Sequence, residues 1–228
     1  MMQLQGKRVV VTGAFGALGA AVVEAARAAG ARVAAIDRSA EAPPALAAAS
    51  TYGGVDLGDA AAATAVFERV GTAFGGLDAL VNIAGTFRWE TVEGGSLDTW
   101  DLLYAVNLRT AVAASRAALP LLGDGGRIVN IGAAAAARAG AGMGAYAASK
   151  AGVARLTEAL AEELKDRAIT VNAVLPSIID TPQNRADMAD ADFARWVAPA
   201  DLAAVIVFLL SDAARAITGA SIPVTGRV

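Results

Sequence analysis

The chain has 228 residues, no cysteine, no histidine and a formal net charge of -3. It therefore has no disulfide, no thiolate nucleophile, no histidine-based triad and none of the usual zinc-ligand sets, and its mild acidity suits neither nucleic acid nor an anionic membrane as partner. With 56% hydrophobic residues it can fill one large core, and acid–base chemistry is left to Tyr, Lys, Asp or Glu. No metal site is expected. Residues 1–7 lack the apolar core of a signal segment, and the longest strongly apolar run, 202–210, is too short to span a bilayer, so a cytoplasmic protein is expected.

Residues 7–12 are a short β-branched run stopped by Gly13, the pattern of a buried parallel strand. Gly13, Gly16 and Gly19 follow, then a helical pattern over 17–29 that ends at Gly30, then a second strand over 32–36 closed by Asp37. A tight turn of this kind brings backbone N–H groups and a helix N-terminus towards a pyrophosphate, and a Cβ would obstruct the approach. The turn's other residues, Phe15, Ala17 and Leu18, are expected to share that contact. Asp37, 18 residues after Gly19, can accept hydrogen bonds from the adenosine ribose hydroxyls, and its charge repels a 2′-phosphate. NAD is the expected cofactor, with NADP open because the neighbouring Arg38 can bind a phosphate.

A third strand is expected over 51–55 with Asp56 and Leu57 after it, a helix over 59–74 with Asp59 as its N-cap, and a fourth strand over 78–83 leading into Ala84 and Gly85. Gly85 would admit a ligand close to the backbone at the carboxyl end of the sheet. The region 97–122 reads as one long helix containing Asn107, and 127–131 as the fifth strand. An Ala/Gly-rich loop over 132–144 feeds a helix running to about residue 165. A sixth strand over 169–175 stops at Pro176, 177–196 is polar and irregular, 201–210 is a last helix and 222–224 a last strand. Alternation of strands and helices throughout gives a single-domain α/β fold, a Rossmann-type doubly wound parallel sheet with helices on both faces.

Within the helix after 144, Tyr146 and Lys150 stand at i and i+4, one turn apart on one face. An ammonium beside a phenol favours the phenolate, so the tyrosine pKa is expected to fall towards the range useful for proton exchange with a substrate oxygen.

Thr12-Gly13 with Gly16 and Gly19, Asp56, Asn82-Ile83-Ala84-Gly85, Asn107, Tyr146-x-x-x-Lys150 and Pro176 together resemble the short-chain dehydrogenase/reductase family over essentially the whole chain. The resemblance implies a nicotinamide cofactor and hydride exchange with a carbonyl-like centre. It implies that Tyr146 is the general acid/base, that Lys150 lowers its pKa and holds the nicotinamide ribose, and that Asn107 bends its helix and holds a relay water. It also implies cofactor contacts at Asp56, Leu57, Asn82, Ala84, Gly85, Tyr146, Pro176 and Thr181.

Two departures stand out. The family's middle glycine usually lies two residues before the last, whereas Gly16 lies three before Gly19, and the serine usual 13 residues before the tyrosine is here Ala133. Loss of that donor costs about 3 kcal/mol of transition-state stabilisation for a simple carbonyl. Both departures, with Gly142-Met143, the stretch from Asp180-Thr181-Pro182 to Trp196, and Phe87 and Trp89 after the fourth strand, resemble the dihydropteridine reductase branch of the family. That branch implies reduction of a quinonoid dihydropteridine, with Ala133, Phe87, Trp89 and Trp196 around the substrate. A carbonyl reductase or alcohol dehydrogenase tolerating Ala133, and a dinucleotide-binding protein without catalysis, are the alternative readings. Surplus apolar surface on 97–122 and on the Tyr146 helix is expected to pair helices in a homodimer or homotetramer.

Overall fold

Val9, Val10 and Val11 put apolar side chains on both faces of the first strand's middle, as a central strand requires. The computed structural model describes residues 3–228; Met1 and Met2, part of the stretch read as lacking a signal segment, lie outside the described residues. Strand β1 (Arg8–Thr12) is followed by α1 (Ala17–Ala28), β2 (Arg32–Ile36), β3 (Ser50–Tyr52), α2 (Ala60–Phe74) and β4 (Leu77–Asn82). Next come α3 (Leu97–Leu103), α4 (Thr110–Ala118), β5 (Leu122–Ile131), α5 (Gly144–Glu163), β6 (Thr170–Pro176), α6 (Pro182–Asp187), α7 (Pro199–Leu210) and β7 (Ser221–Val224). All strand pairs are parallel, in the order β3-β2-β1-β4-β5-β6-β7.

Alternation splits the sheet's side chains between two cores. Val9, Val11, Ala79 and Val81 pack with α1 and α7, whose Val22, Leu202 and Ile206 are fully buried. Val10, Leu80 and Ile128 pack on the opposite face with Phe67 of α2, Ala114 of α4 and Leu160 of α5. Each fully buried Leu, Ile or Phe contributes roughly 2 kcal/mol from area removed from water, which is why the apolar fraction is high. Among the described residues no helix is long and apolar enough to cross a membrane.

Asp59 caps α2 as expected, its Oδ1 accepting from the N–H of Ala61 at 2.8 Å. Several boundaries differ from the sequence reading. The third strand ends at Tyr52, because Gly54 adopts φ +73° and Val55 N–H turns back to the Asp37 carbonyl at 3.0 Å. The fifth strand begins at Leu122: Leu77 pairs with Leu122 and Ala79 with Arg127, so the intervening residues of β5 loop out. The region 97–122 is not one regular helix. A π-helical turn, Tyr104–Arg109, separates α3 from α4, which ends at Ala118. The irregular stretch after β6 contains the short helix α6. Pro223 is tolerated in β7 because that strand is the sheet edge.

Candidate active site

The strand order reverses between β1 and β4, and their carboxyl ends open a crevice there. Gly13 crosses it at φ +62°, with its Cα so close to β4 that a Cβ would lie 2.7 Å from the Ala84 nitrogen. Thr12 Oγ1 ties the two strand ends by accepting from the N–H groups of Ile83 (3.1 Å) and Ala84 (3.3 Å). A Cβ on Gly19 would stand 2.1 Å from the Gly13 carbonyl oxygen, so only glycine lets α1 start this close to β1. Gly16 differs: a Cβ there would meet only the Gly13 oxygen, at 3.6 Å. The protein's own packing therefore does not require glycine at 16, and the open space faces the crevice.

That crevice is a cavity of about 540 Å³ lined by Gly13, Phe15, Gly16, Ala17, Leu18 and Gly19 on the turn side. Asp37, Arg38, Asp56 and Leu57 close one end. Ala84, Gly85 and Thr181 line the other. The first N–H groups of α1 have no intrahelical acceptor, and Gly16 supplies no side-chain cap, so they are free for an anion. The Asp37 carboxylate accepts from Phe15 N–H through Oδ2 and from Ser39 N–H through Oδ1, both at 2.9 Å, which fixes it beside the turn. Cavity shape, glycine turn and fixed carboxylate fit a dinucleotide. Thr181 caps α6, accepting from Asn184 N–H at 3.1 Å. Asp56 Oδ1 accepts from Gly58 N–H at 2.8 Å.

Asn82 is not in the cavity lining. It is buried, and its Nδ2 donates to Asn130 Oδ1 at 2.9 Å and to Ser115 Oγ at 3.1 Å, while Asn130 Nδ2 donates to Thr157 Oγ1 of α5 at 2.9 Å. The amide thus ties β4 and β5 to the helix that carries Tyr146. Pro176 ends β6 paired with Val224.

Lys150 is 4% exposed, and its ammonium donates to the Ile131 carbonyl at 2.8 Å. A Cβ on Gly85 would stand 3.2 Å from Lys150 Nζ and 3.0 Å from Asn107 Oδ1, so Asn107 and Lys150 lie just behind Gly85; Gly85 lines the cavity, and Asn107, Tyr146 and Lys150 do not. Asn107, in the π-helical turn, accepts from Thr86 N–H at 2.7 Å and donates to Ser149 Oγ at 2.9 Å. Ser149 in turn donates to the Tyr146 carbonyl at 2.7 Å, so its hydroxyl is spent within the helix. The extra residue in the π turn is what aims Asn107 inward. Gly152 lets α5 approach that turn, since a Cβ there would lie 2.6 Å from Leu108 Cδ2.

Burial pushes the Tyr146 phenol up to about 12 and the Lys150 ammonium down to about 8. The expected lowering of the tyrosine is not found: desolvation of the phenolate raises the phenol, and no attraction from the Lys150 ammonium offsets it. The Tyr146 phenol is thus held neutral, and Lys150 remains mostly charged at neutral pH.

The Phe87 ring meets Tyr146 edge-on, with centroids 4.9 Å apart. Trp89 donates from Nε1 to the Ala141 carbonyl at 2.9 Å, and Glu90 N–H donates to the Gly142 carbonyl at 2.8 Å. A Cβ on Gly142, which adopts φ +72°, would penetrate the Trp89 indole. Ala133 is 4% exposed and offers no hydroxyl. Trp196, expected beside the substrate, is 8% exposed and packed on Phe193 at 4.7 Å, as a plug under the loop. The sequence reading missed Leu102, Val106 and Thr110, which line the cavity; their i, i+4, i+8 spacing was the available signal.

The family model described as enoyl-(acyl carrier protein) reductase matches residues 13–226. D-threitol dehydrogenase of Mycolicibacterium smegmatis is 37% identical, covering 98% of this chain and 93% of its own. The solved short-chain dehydrogenase/reductase of Serratia marcescens is 34% identical, with a TM-score of 0.90 over 99% of this chain and 98% of that one. The chain belongs to the short-chain dehydrogenase/reductase family. A second short-chain dehydrogenase, from Burkholderia cenocepacia and solved in complex with NADP, is 36% identical with a TM-score of 0.88, covering 98% of each chain. The protein is thus an NAD(P)-dependent oxidoreductase with the Rossmann-type fold of the short-chain dehydrogenase/reductases.

Proposed function

We propose that this enzyme uses NADH to reduce a planar conjugated acceptor, a quinonoid dihydropteridine or a related conjugated carbonyl or imine. The observation that carries the reading is the pairing of hydroxyl-free Ala133 with an aromatic wall, Phe87 edge-on to Tyr146. A simple carbonyl concentrates the incoming charge on one oxygen and needs a second donor there. A conjugated ring spreads the charge over several heteroatoms, and the half-exposed Phe87 offers it an apolar face. The fixed Asp37 carboxylate favours NADH, because a 2′-phosphate would meet that charge; Arg38 keeps NADP within reach.

When bound, the reduced nicotinamide supplies the hydride. Tyr146 gives the acceptor heteroatom its proton, and the buried Lys150 ammonium stabilises the phenolate left behind. Asn107 holds Thr86 and Ser149 in place and sets the distance between the loop after β4 and α5. Asp56, Leu57, Ala84 and Thr181 complete the cofactor contacts, with Asn82 and Pro176 acting through the sheet. Trp89 closes the substrate side; Trp196 acts by supporting the loop.

A ketone or polyol reading is favoured by the 37% identity to D-threitol dehydrogenase. Initial rates with NADH on quinonoid dihydropteridine and on small ketones separate the two. We expect kcat/KM on the pteridine to exceed that on ketones at least about a hundredfold, the worth of one missing donor. Good ketone turnover with no pteridine activity rejects the conjugated-acceptor reading. We further infer a homodimer or homotetramer, supported by exposed Leu97, Trp100, Tyr104 and Val112 on the α3–α4 run.

A further inference from the structure

We propose that Arg88 binds an anionic group of the ligand that fills the cavity, completing a charge match the glycine turn leaves unfinished. The segment after β4 belongs to no helix or strand and is tied down by two of its backbone N–H groups, Thr86 donating to Asn107 Oδ1 at 2.7 Å and Glu90 to the Gly142 carbonyl at 2.8 Å. Phe87 and Trp89 face α5 and its preceding loop, where Phe87 packs on Tyr146 and Trp89 bonds to Ala141. Thr86 and Arg88 line the cavity. Arg88 thus lines the cavity between two anchored neighbours. Among the described residues its guanidinium makes no ion pair, whereas the cavity's two carboxylates already accept backbone N–H groups.

The turn offers an anion only uncharged donors, the first N–H groups of α1, and a cation adds charge to them. Phe15 N–H is taken by Asp37. Arg38 stands at the end of β2, beside that carboxylate, on the far side of the crevice. Arg88 approaches from the β4 side, close to Gly85, with a planar fork suited to two oxygens of one phosphate or carboxylate. The anion is either a phosphate of the dinucleotide or an acid group on the acceptor. The inference rests on the dinucleotide reading of the cavity.

Arg88→Gln and Arg88→Lys test it, since an exposed side chain without partners leaves the fold intact when changed. Calorimetry with adenosine, ADP and NADH reads the nucleotide arm. Binding of acetoacetate and of neutral butanone to the NADH-loaded protein, read by nicotinamide fluorescence, gives the acceptor arm. We expect Arg88→Gln to weaken ADP and NADH about tenfold and leave adenosine unchanged, with Arg88→Lys recovering part of the loss. A loss confined to acetoacetate assigns the anion to the acceptor instead. Equal effects on charged and neutral ligands, or none, overturn the inference while the dinucleotide reading stands. If the wild-type protein binds neither NADH nor adenosine, both fall.

Discussion

At the scale of single residues, Tyr146 and Lys150 divide one burial between them. A phenol pushed up to about 12 and an ammonium pushed down to about 8 both result from removal of water, and both favour a neutral acid next to a cation that is only just retained. Tyr146→Phe is expected to lower kcat by at least about a hundredfold, the lower range for a positioned general acid, while the Kd for NADH changes less than about twofold. The reduction rate in wild type should fall as pH rises through about 8, as Lys150 loses its charge. Stability moves in the opposite sense. Below pH 8 both the folded and the unfolded chain carry the Lys150 proton, and the fold bears the cost of a buried ammonium. Between about 8 and the ordinary lysine value of 10.5 only the unfolded chain keeps that proton, so raising the pH stabilises the fold. Thermal melts of wild type and Lys150→Met from pH 7 to 10.5 should therefore shift relative to one another in favour of wild type as pH rises. Parallel curves would show that the lysine is not desolvated.

At the scale of elements, the sequence was most informative where one pattern dominated. The valines of β1, the glycines before α1 and the Asp59 cap all stand where a local argument expects them, because local chemistry decides each. The π-helical turn was hidden, since no composition marks one extra residue per turn; only Asn107's contacts with Thr86 and Ser149 reveal why it exists. The early start of β5 was hidden by Gly123, Asp124, Gly125 and Gly126, which carry no strand pattern and loop out of the ladder. Ala168 is a third unreadable point: it ends the turn after α5 at φ +52°, in the left-handed region that favours glycine. Ala168→Gly should stabilise the protein by about 1 kcal/mol, measured by chemical denaturation; a loss of stability would mean that the methyl group packs usefully. The clasp of Trp89 over Gly142 joins the loop after β4 to the start of α5, and so holds Phe87 on Tyr146. Trp89→Ala should raise the acceptor KM several-fold with the NADH Kd unchanged, and Trp89→Phe should recover part of the loss. A change in NADH affinity equal to that in KM would place the tryptophan's effect on the cofactor side.

At the scale of the whole molecule, the fold sets two buried faces around one sheet and leaves large apolar side chains outside, a run of them on α3–α4. The order β3-β2-β1-β4-β5-β6-β7 directs every chemically charged residue of the site to the carboxyl edge, and α1, α7, α2, α4 and α5 cover the two faces. The leftover surface lies on the α3–α4 run: Leu97 is 80% exposed, Tyr104 56% and Val112 42%. Val112 also borders a groove of about 680 Å³ between α2 and α4, lined with Pro120 and Leu121. A helical run of this length, laid against its symmetry mate, can supply the roughly 800 Å² per partner that a stable interface buries. A carboxylate at its middle, with only the exposed Arg109 and Arg116 of the same helical run beside it, would be desolvated on pairing, at a cost of about a few kcal/mol. Val112→Asp is therefore expected to weaken self-association at least about a hundredfold, seen as a shift from a dimeric or tetrameric mass towards the monomer in light scattering. Helical content should be unchanged, because position 112 faces solvent in the single chain. A wild-type protein that is monomeric at micromolar concentration, or a variant of unchanged mass, would mean that this apolar run is not the surface through which two copies meet.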